Sequence, residues 1–399
     1  MSAEPQTSPP AAHTSQKYAF IDALRGYAVL LVITCHTGGM FAQLPFPLKK
    51  LTNFGWHGVQ LFFLVSCVTL MMSWRSDERK GIASPLNFWI RRFFRIAPMY
   101  YLAAAFYFFA EPPDGGFDLG QLLASLGFVN AWHPVLMPTT PHAWSVVPGG
   151  WSIGVEFTFY FLFPAMVFYV RSMRAAGLFV LVALFFGCVA NSAAEPGLLR
   201  AYGSTATENF LYFWFPNQLG VFALGTVLYF AIDRLRTGSG FPAAMFLSRW
   251  GVLVLVGCLV AIVAVINLPL SARLSLTPPA FMPALYAASL IFMVFALVLA
   301  LKPDIVAINR PICALGEVSF SAYILHFFVL RELGSLLPQI VDPHAEGWGA
   351  ILRFGVLWLI AVPATFALSW FTFAFIEKPM IEVGRKMQLP RRRIASAAV

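Results

Sequence analysis

An arginine and a histidine stand in one apolar segment near the start of the chain, FIDALRGYAVLLVITCH, at positions 25 and 36. With about 3.6 residues per turn and about 1.5 Å per residue, a helix places Arg25 and His36 on one face, about 16 Å apart. Histidine transfers protons near neutral pH, and arginine binds anions. The pair therefore indicates a site for proton transfer and anion binding along this face. The alternative is an arginine that reaches lipid headgroups and a histidine that bonds between helices.

Two further arginines, one helical turn apart, open a later apolar segment. Arg92 and Arg95 lie in NFWIRRFFRIAPMYY. Two planar guanidinium groups on one helix face suit bidentate binding of phosphate oxygens. The excess of basic residues in cytoplasmic loops of membrane proteins explains the same charges without a ligand, so both interpretations stay open.

A carboxylate lies within a third apolar segment, GGWSIGVEFTFYFLFP. Glu156 has no basic residue three or four positions away, so it needs either a proton or a partner on another helix. Glu156 and His36 have similar depths when counted from the outer ends of their segments. We therefore predict that they meet and that Glu156 orients the imidazole. The letters GWSIG match the nucleophile elbow of hydrolases, but that turn joins a strand to a helix, so we reject the match.

Polar residues in the segment LGEVSFSAYILHFFVL form a further candidate group. We predict that His326 and Glu317, together with Trp151 and Ser152 just before Glu156, line a cavity, although such residues also hold helices together. The 7 histidines and 5 cysteines have no spacing suited to a metal ion. We predict no metal.

The composition excludes a water-soluble globular protein. Of the 399 residues, 59% are hydrophobic and 11% charged, whereas an ordinary soluble domain has about 45–50% apolar and about 25% charged residues. Lipid must therefore cover most of the surface. The net charge of +9 lies between apolar runs and does not form a basic patch, so we predict no nucleic-acid partner.

We predict an all-α, polytopic integral membrane protein of ten transmembrane helices, since about 20 apolar residues cross the hydrocarbon. The predicted spans are residues 22–43, 57–74, 92–111, 150–170, 177–194, 210–231, 250–268, 280–301, 313–336 and 350–376. Residues 18–380 then form one membrane domain. Residues 1–17, rich in Pro, Ser, Thr and Ala, are predicted to be a disordered tail, and residues 381–399 a basic cytoplasmic tail.

The distribution of Lys and Arg predicts that both termini are cytoplasmic. Most of the 27 basic residues fall in the two tails and in alternate loops, which is the pattern of cytoplasmic segments. Residues 112–149 contain no Lys or Arg and are predicted to face outward. Aromatic and amide groups suit contacts with sugars, and this loop contains several such polar and aromatic residues: Asn130, Trp132, His133, His142 and Trp144.

The ordered set of motifs resembles the acyltransferase 3 family of integral membrane acyltransferases. The resemblance runs from residue 18 to 380 and includes the segments already quoted, together with GVQLFFLVS and FIEKP. It implies ten core helices and transfer of an acyl group, often acetyl, from cytoplasmic acyl-CoA to a carbohydrate or other acceptor handled at the membrane. It also implies location in the cytoplasmic (inner) membrane.

The resemblance assigns roles to individual residues. His36 matches the family's essential histidine, Arg25 the arginine of the same motif, and Arg92 and Arg95 its Arg-x-x-Arg pair. Gln60 stands where the family often has an aspartate, so a role for an acid there does not carry over.

Residues and resemblance together predict an acyl-CoA-dependent O-acyltransferase with acetyl-CoA as the expected donor, bound through Arg25, Arg92 and Arg95. His36 is then the general base on the hydroxyl of a carbohydrate or lipid-linked acceptor, or carries the acyl group itself. The alternative is a polytopic transporter that uses polar residues in mid-membrane as a substrate or ion path. Transporters commonly contain inverted repeats, and the sequence has none that we can recognise.

Overall fold

The computed structural model describes residues 18–112, 118–137, 145–238, 242–268, 282–342 and 344–388. These residues form helices and no β-strand. The α-helices in chain order are α1 (Ala19–Gly39), α2 (Phe46–Phe54), α3 (Gly58–Arg79), α4 (Pro85–Ala110), α5 (Leu119–Leu126), α6 (Gly150–Tyr169), α7 (Met173–Phe213), α8 (Phe215–Thr237), α9 (Pro242–Asn267), α10 (Pro283–Leu301), α11 (Arg310–Glu317), α12 (Ser319–Leu336), α13 (Gly347–Thr372) and α14 (Lys378–Lys386). The predicted tail 1–17, two of the predicted loop contacts, His142 and Trp144, and residues 389–399 lie outside the described residues.

The helices are those of a multi-pass membrane protein. Within the described residues, eight helical segments are long and apolar enough to cross a membrane, or nine if the bent pair α11 and α12 counts as one span. One of the eight segments is residues 173–237, which contains α7 and α8. These two helices pack against each other, and the segment includes our fifth and sixth predicted spans. The all-α polytopic fold is confirmed, and the count of ten and the side of the termini stay predictions.

The ninth predicted span, residues 313–336, is not one straight helix. α11 ends at Glu317 and α12 begins at Ser319, with a bend of 86° between them. The backbones of α11 and α1 touch: a Cβ added at Gly316 would collide with the Asp22 carbonyl oxygen, and one at Gly26 with that of Ile312. Only glycine permits so close an approach. This contact holds α11 across α1, so α12 leaves in a new direction.

Helix α1 is the centre of the bundle. It packs against α2 and α3, which follow it in the chain, and against α10, α11, α12 and α13 from the C-terminal part. Its buried residues, among them Leu24, Ala28 and Val32, belong to the main hydrophobic core. A helix surrounded in this way holds the side chains of Arg25 and His36 among those of its neighbours.

The helix that carries the arginine pair is fixed at its start and along its side. The Ser84 side chain accepts a hydrogen bond from the Asn87 amide at 3.4 Å and caps α4, whose first residue is Pro85. Along its side, α4 packs against α14, where Phe94 lies next to Gly384. The cap and this packing fix the positions of the arginines that follow.

Candidate active site

One cavity brings together charged residues from three helices that are distant in sequence. Arg25 of α1, Arg92 and Arg95 of α4 and Glu156 of α6 all line it. Its empty volume, including the open mouth, is about 650 Å³. We call it the arginine cavity. Its other polar lining residues are Ser66, Ser152, Tyr160, Ser319 and Tyr323.

The three guanidinium groups of this cavity have no carboxylate partner within salt-bridge distance among the described residues. Arg25 donates to Thr69 Oγ1 at 3.4 Å, and the Arg92 guanidinium lies 5.6 Å from the Phe88 ring centroid. Arg92 Nε is buried without a hydrogen-bond partner in the described structure. Three positive charges and one negative charge in a partly enclosed, low-dielectric space favour an anionic ligand.

The neighbouring arginine has a different environment. Arg91 donates to Asp77 at 2.7 Å and to Gln388 at 3.2 Å, and it does not line the arginine cavity. Because adjacent helix residues point about 100° apart, Arg91 and Arg92 face different surroundings. Arg91 is therefore a matched comparison for the cavity arginines.

The structure does not bring Glu156 to His36. Glu156 accepts a hydrogen bond from Ser66 Oγ of α3 and lines the arginine cavity, whereas His36 lines a second cavity. The reason is the order of the helices: α6 packs against α3, α4 and α8, and α3 in turn packs against α1. Similar depth in the membrane did not make the two residues neighbours.

The second cavity surrounds His36 with aromatic and polar groups. His36 and Gly39 of α1, Trp56 and His57 before α3, and Tyr212 at the end of α7 line it. Its empty volume, including the open mouth, is about 1360 Å³. We call it the histidine cavity. Other lining residues are Cys35, Asn53, Glu208, Asn209, Phe213, Met282, Pro283, Ala284 and Leu285.

A hydrogen-bonded cluster forms one wall of the histidine cavity. His57 Nδ1 lies 3.3 Å from Gln60 Oε1 and 3.4 Å from the Tyr212 hydroxyl. Gln60 Nε2 donates to Gln218 Oε1 at 3.2 Å. Neither His57 nor Gln60 had a role in the prediction from sequence. The three-residue spacing of His57 and Gln60 at the start of α3 is the feature of the sequence that could have indicated their contact.

His36 lies beside a second histidine. Its ring centroid is 5.1 Å from that of His326 and 4.5 Å from that of Phe327. His326 has no exposed surface, and its Nδ1 lies 3.2 Å from the carbonyl oxygen of Ala322. The predicted cavity residue His326 is thus adjacent to the cavity through its contact with His36.

Rings separate the two cavities. Trp151 contacts Phe63 of the arginine cavity at 6.3 Å and Phe213 of the histidine cavity at 4.4 Å between centroids. Tyr323, which lines the arginine cavity, lies 6.0 Å from His326. We call Phe63, Trp151, Phe213, Tyr323 and His326 the aromatic layer.

Other predicted site residues have varied positions. Ser152 lines the arginine cavity and donates to the Tyr323 hydroxyl at 2.9 Å. Glu317 is exposed at the end of α11 and lines neither cavity, because α11 ends there. Trp132 donates to Thr158 of α6 at 3.0 Å and also lies outside both cavities.

No group of three His, Cys, Asp or Glu within the described ranges is arranged to hold a metal ion.

The fold and the two cavities define a multi-pass membrane protein with a cationic cavity and a histidine cavity around one central helix. The profile of the acyltransferase 3 family, described as an acyltransferase domain, matches residues 18–374. The chain belongs to this family. No solved structure matches the chain.

The proteins that are similar to this chain include named acyltransferases. The acyltransferase MdmB of Streptomyces mycarofaciens is 26% identical over 94% of this chain and 94% of its own length. The peptidoglycan O-acetyltransferase OatA of Listeria monocytogenes is 25% identical over 93% of this chain and 57% of its own length. The exopolysaccharide production protein ExoZ of Rhizobium meliloti is 28% identical over 48% of this chain and 65% of its own length.

Proposed function

We propose that the protein is an O-acyltransferase of the cytoplasmic membrane that moves an acyl group, typically acetyl, from cytoplasmic acyl-CoA to a hydroxyl of a carbohydrate or lipid-linked acceptor. The observation that carries this proposal is the placement of Arg25 and His36. They share one helix, but they line separate cavities that meet at the aromatic layer. Such a pair of cavities gives two substrates separate routes to one reaction centre.

The donor binds in the arginine cavity. Coenzyme A carries several phosphate charges, and Arg25, Arg92 and Arg95 supply the guanidinium groups that bind phosphate best. The Lys and Arg distribution along the chain supports a cytoplasmic position for this end of α1. From there the pantetheine arm carries the thioester past Phe62 and Tyr323 towards His36, about 16 Å further along α1.

The acceptor binds in the histidine cavity. Trp56 stacks on Phe213 with 5.5 Å between centroids, and Trp56 is 41% exposed, so a ring face is accessible to a sugar. Asn53, Glu208 and Tyr212 add the polar groups that sugar hydroxyls require. Two of the similar proteins are named for peptidoglycan and for exopolysaccharide, which supports a carbohydrate acceptor.

His36 is the reaction centre. In direct transfer, the acceptor oxygen attacks the thioester carbonyl, its proton passes to His36, the C–S bond breaks, and the proton then passes to the coenzyme A thiolate. In the two-step route, a ring nitrogen of His36 attacks the thioester carbonyl, the C–S bond breaks and coenzyme A leaves as its thiolate. The acceptor oxygen then attacks the acyl carbon, the C–N bond breaks to release His36, and the hydroxyl proton passes to the thiolate. A positioned general base contributes about 10²–10⁴-fold to the rate.

The test is acyl transfer by purified protein in liposomes. We would supply labelled acetyl-CoA and a lipid and polysaccharide extract to wild type, to His36→Ala and to His344→Ala, a control at an exposed histidine. We expect label in the extract with wild type and His344→Ala and none with His36→Ala. Equal transfer by all three would exclude His36 from the mechanism. Labelled solute that accumulates in the lumen, with none in an acceptor, would support a transporter instead.

A further inference from the structure

His326 has a buried hydrogen-bonding atom that the structure leaves without a partner. Its side chain has no exposed surface. Its Nδ1 is 3.2 Å from the carbonyl oxygen of Ala322, one turn earlier in α12. Its Nε2 is buried and has no hydrogen-bond partner among the described residues. A buried polar atom without a partner costs free energy, so it requires an explanation.

The bond to Ala322 determines which nitrogen carries the proton. A carbonyl oxygen only accepts, so Nδ1 of His326 must donate to it. In a neutral imidazole the other nitrogen is then an acceptor. Nε2 of His326 therefore presents a lone pair inside the protein, next to the aromatic ring of His36.

We propose that His326 is the positioning residue of His36. Its Nε2 accepts a hydrogen bond from one ring N–H of His36, which leaves the lone pair of the other ring nitrogen of His36 for the substrates. This inference rests on the proposed function, since it concerns the residue that we place at the reaction centre. His326 thus has the orienting role that the sequence analysis gave to Glu156.

The surroundings of His36 support this assignment. The two ring centroids are 5.1 Å apart, with 42° between the ring planes, a separation at which one nitrogen of each ring can come within hydrogen-bond distance when the half-buried His36 ring rotates. Phe327 lies 4.5 Å from His36 and 4.0 Å from His326 and limits the positions of both rings. Glu156 is not available, because it belongs to the arginine cavity and accepts from Ser66.

An orienting acceptor matters because imidazole has two tautomers. A base or nucleophile needs its lone pair directed at the substrate, and the tautomer is set by the bond that the other nitrogen makes. The other titratable groups that line the histidine cavity are Cys35, His57, Glu208 and Tyr212. Cys35, His57 and Tyr212 make hydrogen bonds to groups other than His36, whereas the His326 ring is in contact with it.

The kinetic test compares two substitutions of similar bulk. His326→Phe removes the acceptor, and His326→Gln keeps an acceptor oxygen close to the position of Nε2. We expect kcat to fall about 10- to 100-fold in His326→Phe, the range for one hydrogen bond to a group that becomes charged. KM for acetyl-CoA should stay unchanged, and His326→Gln should recover most of kcat. Equal losses in both variants would overturn the proposal.

A spectroscopic test works without any acyl transfer. Nitrogen-15 NMR of histidine-labelled protein in bilayers distinguishes protonated from unprotonated ring nitrogens, and His36→Ala identifies the His36 signals. We expect a single His36 tautomer in wild type and a mixture in His326→Phe, while Ser335→Ala on the same helix leaves the spectrum unchanged. Identical His36 signals in wild type and His326→Phe would overturn the proposal. Absence of transfer by wild type would overturn only the proposed function.

Discussion

Arg25 and His36 lie on one face of α1, yet Arg25 lines a cavity with Arg92 and Arg95, and His36 lines another with His57 and Tyr212. In the function we propose, the spacing of these two residues is the separation between the donor phosphates and the reaction centre. Each cavity can be tested by itself, because a change in one should alter the kinetics of one substrate only.

The arginine cavity predicts a selective loss of affinity for the phosphates of the donor. Arg92→Gln should raise KM for acetyl-CoA about 10- to 100-fold, since a hydrogen bond to a charged group contributes about 1.5–3 kcal/mol. KM for acetyl-pantetheine, which has no phosphate, should change little. Steady-state kinetics with both donors provide the measurement.

Arg91→Gln is the control for this experiment, because Arg91 pairs with Asp77 and lies outside the cavity. It should leave both KM values close to those of wild type. If Arg91→Gln and Arg92→Gln had the same effect, general loss of positive charge would explain the result and the binding site would lie elsewhere.

The histidine cavity predicts an effect on the acceptor. Trp56→Ala should raise KM for the acceptor about tenfold, because stacking of a ring on tryptophan is lost, and should not change KM for acetyl-CoA. Trp348→Ala, at a tryptophan with 85% exposure on α13, is the control. A rise in KM for acetyl-CoA in Trp56→Ala would contradict our division of the two substrates.

Glu156 should affect the donor, because its carboxylate lies among the cavity arginines. Glu156→Gln removes the negative charge of that cavity and should tighten binding of a nonreactive coenzyme A analogue. Calorimetric titration would measure this change. Weaker binding of the analogue, or a change in the His36 NMR signals, would show that Glu156 acts in another way.

The contact between α1 and α11 predicts a stability effect. Gly26→Ala places a methyl group against the Ile312 carbonyl oxygen, and such overpacking costs about 1–3 kcal/mol. Thermal unfolding in detergent should show a lower midpoint than wild type. Gly257→Ala, where nothing lies within 4 Å of the added atom, should show no such decrease; equal midpoints for the two variants would contradict the close contact.

Sequence alone was sufficient for the fold class, and it singled out three arginines that the fold brings together. Lipid requires internally bonded backbone, so apolar runs of sufficient length become helices whatever their neighbours. Arg25, Arg92 and Arg95 were each notable because charge is costly in a membrane, and the structure places all three in one cavity.

Pairing between helices was not predictable in the same way. Glu156 and His36 have comparable depth, but depth says nothing about which helices are neighbours, and α3 separates their helices. The bend between Glu317 and Ser319 was also missed, since it depends on contact between α11 and the backbone of α1. The contacts of His57 with Tyr212 and of Gln60 with Gln218 were also not predictable, because Tyr212 and Gln218 come from a distant part of the chain.

The aromatic layer has an electrical consequence. If the arginine cavity opens to the cytoplasm and the histidine cavity to the outer side, water reaches both faces of the thin septum that the aromatic layer forms. The transmembrane voltage then falls mainly across that septum, where one elementary charge moved through 100 mV corresponds to about 2.3 kcal/mol. We expect that any step in which charge moves between Tyr323 and His36 depends on voltage. Transfer rates in liposomes under an imposed potassium diffusion potential would reveal that dependence, and a rate independent of the potential would place the charge movement elsewhere.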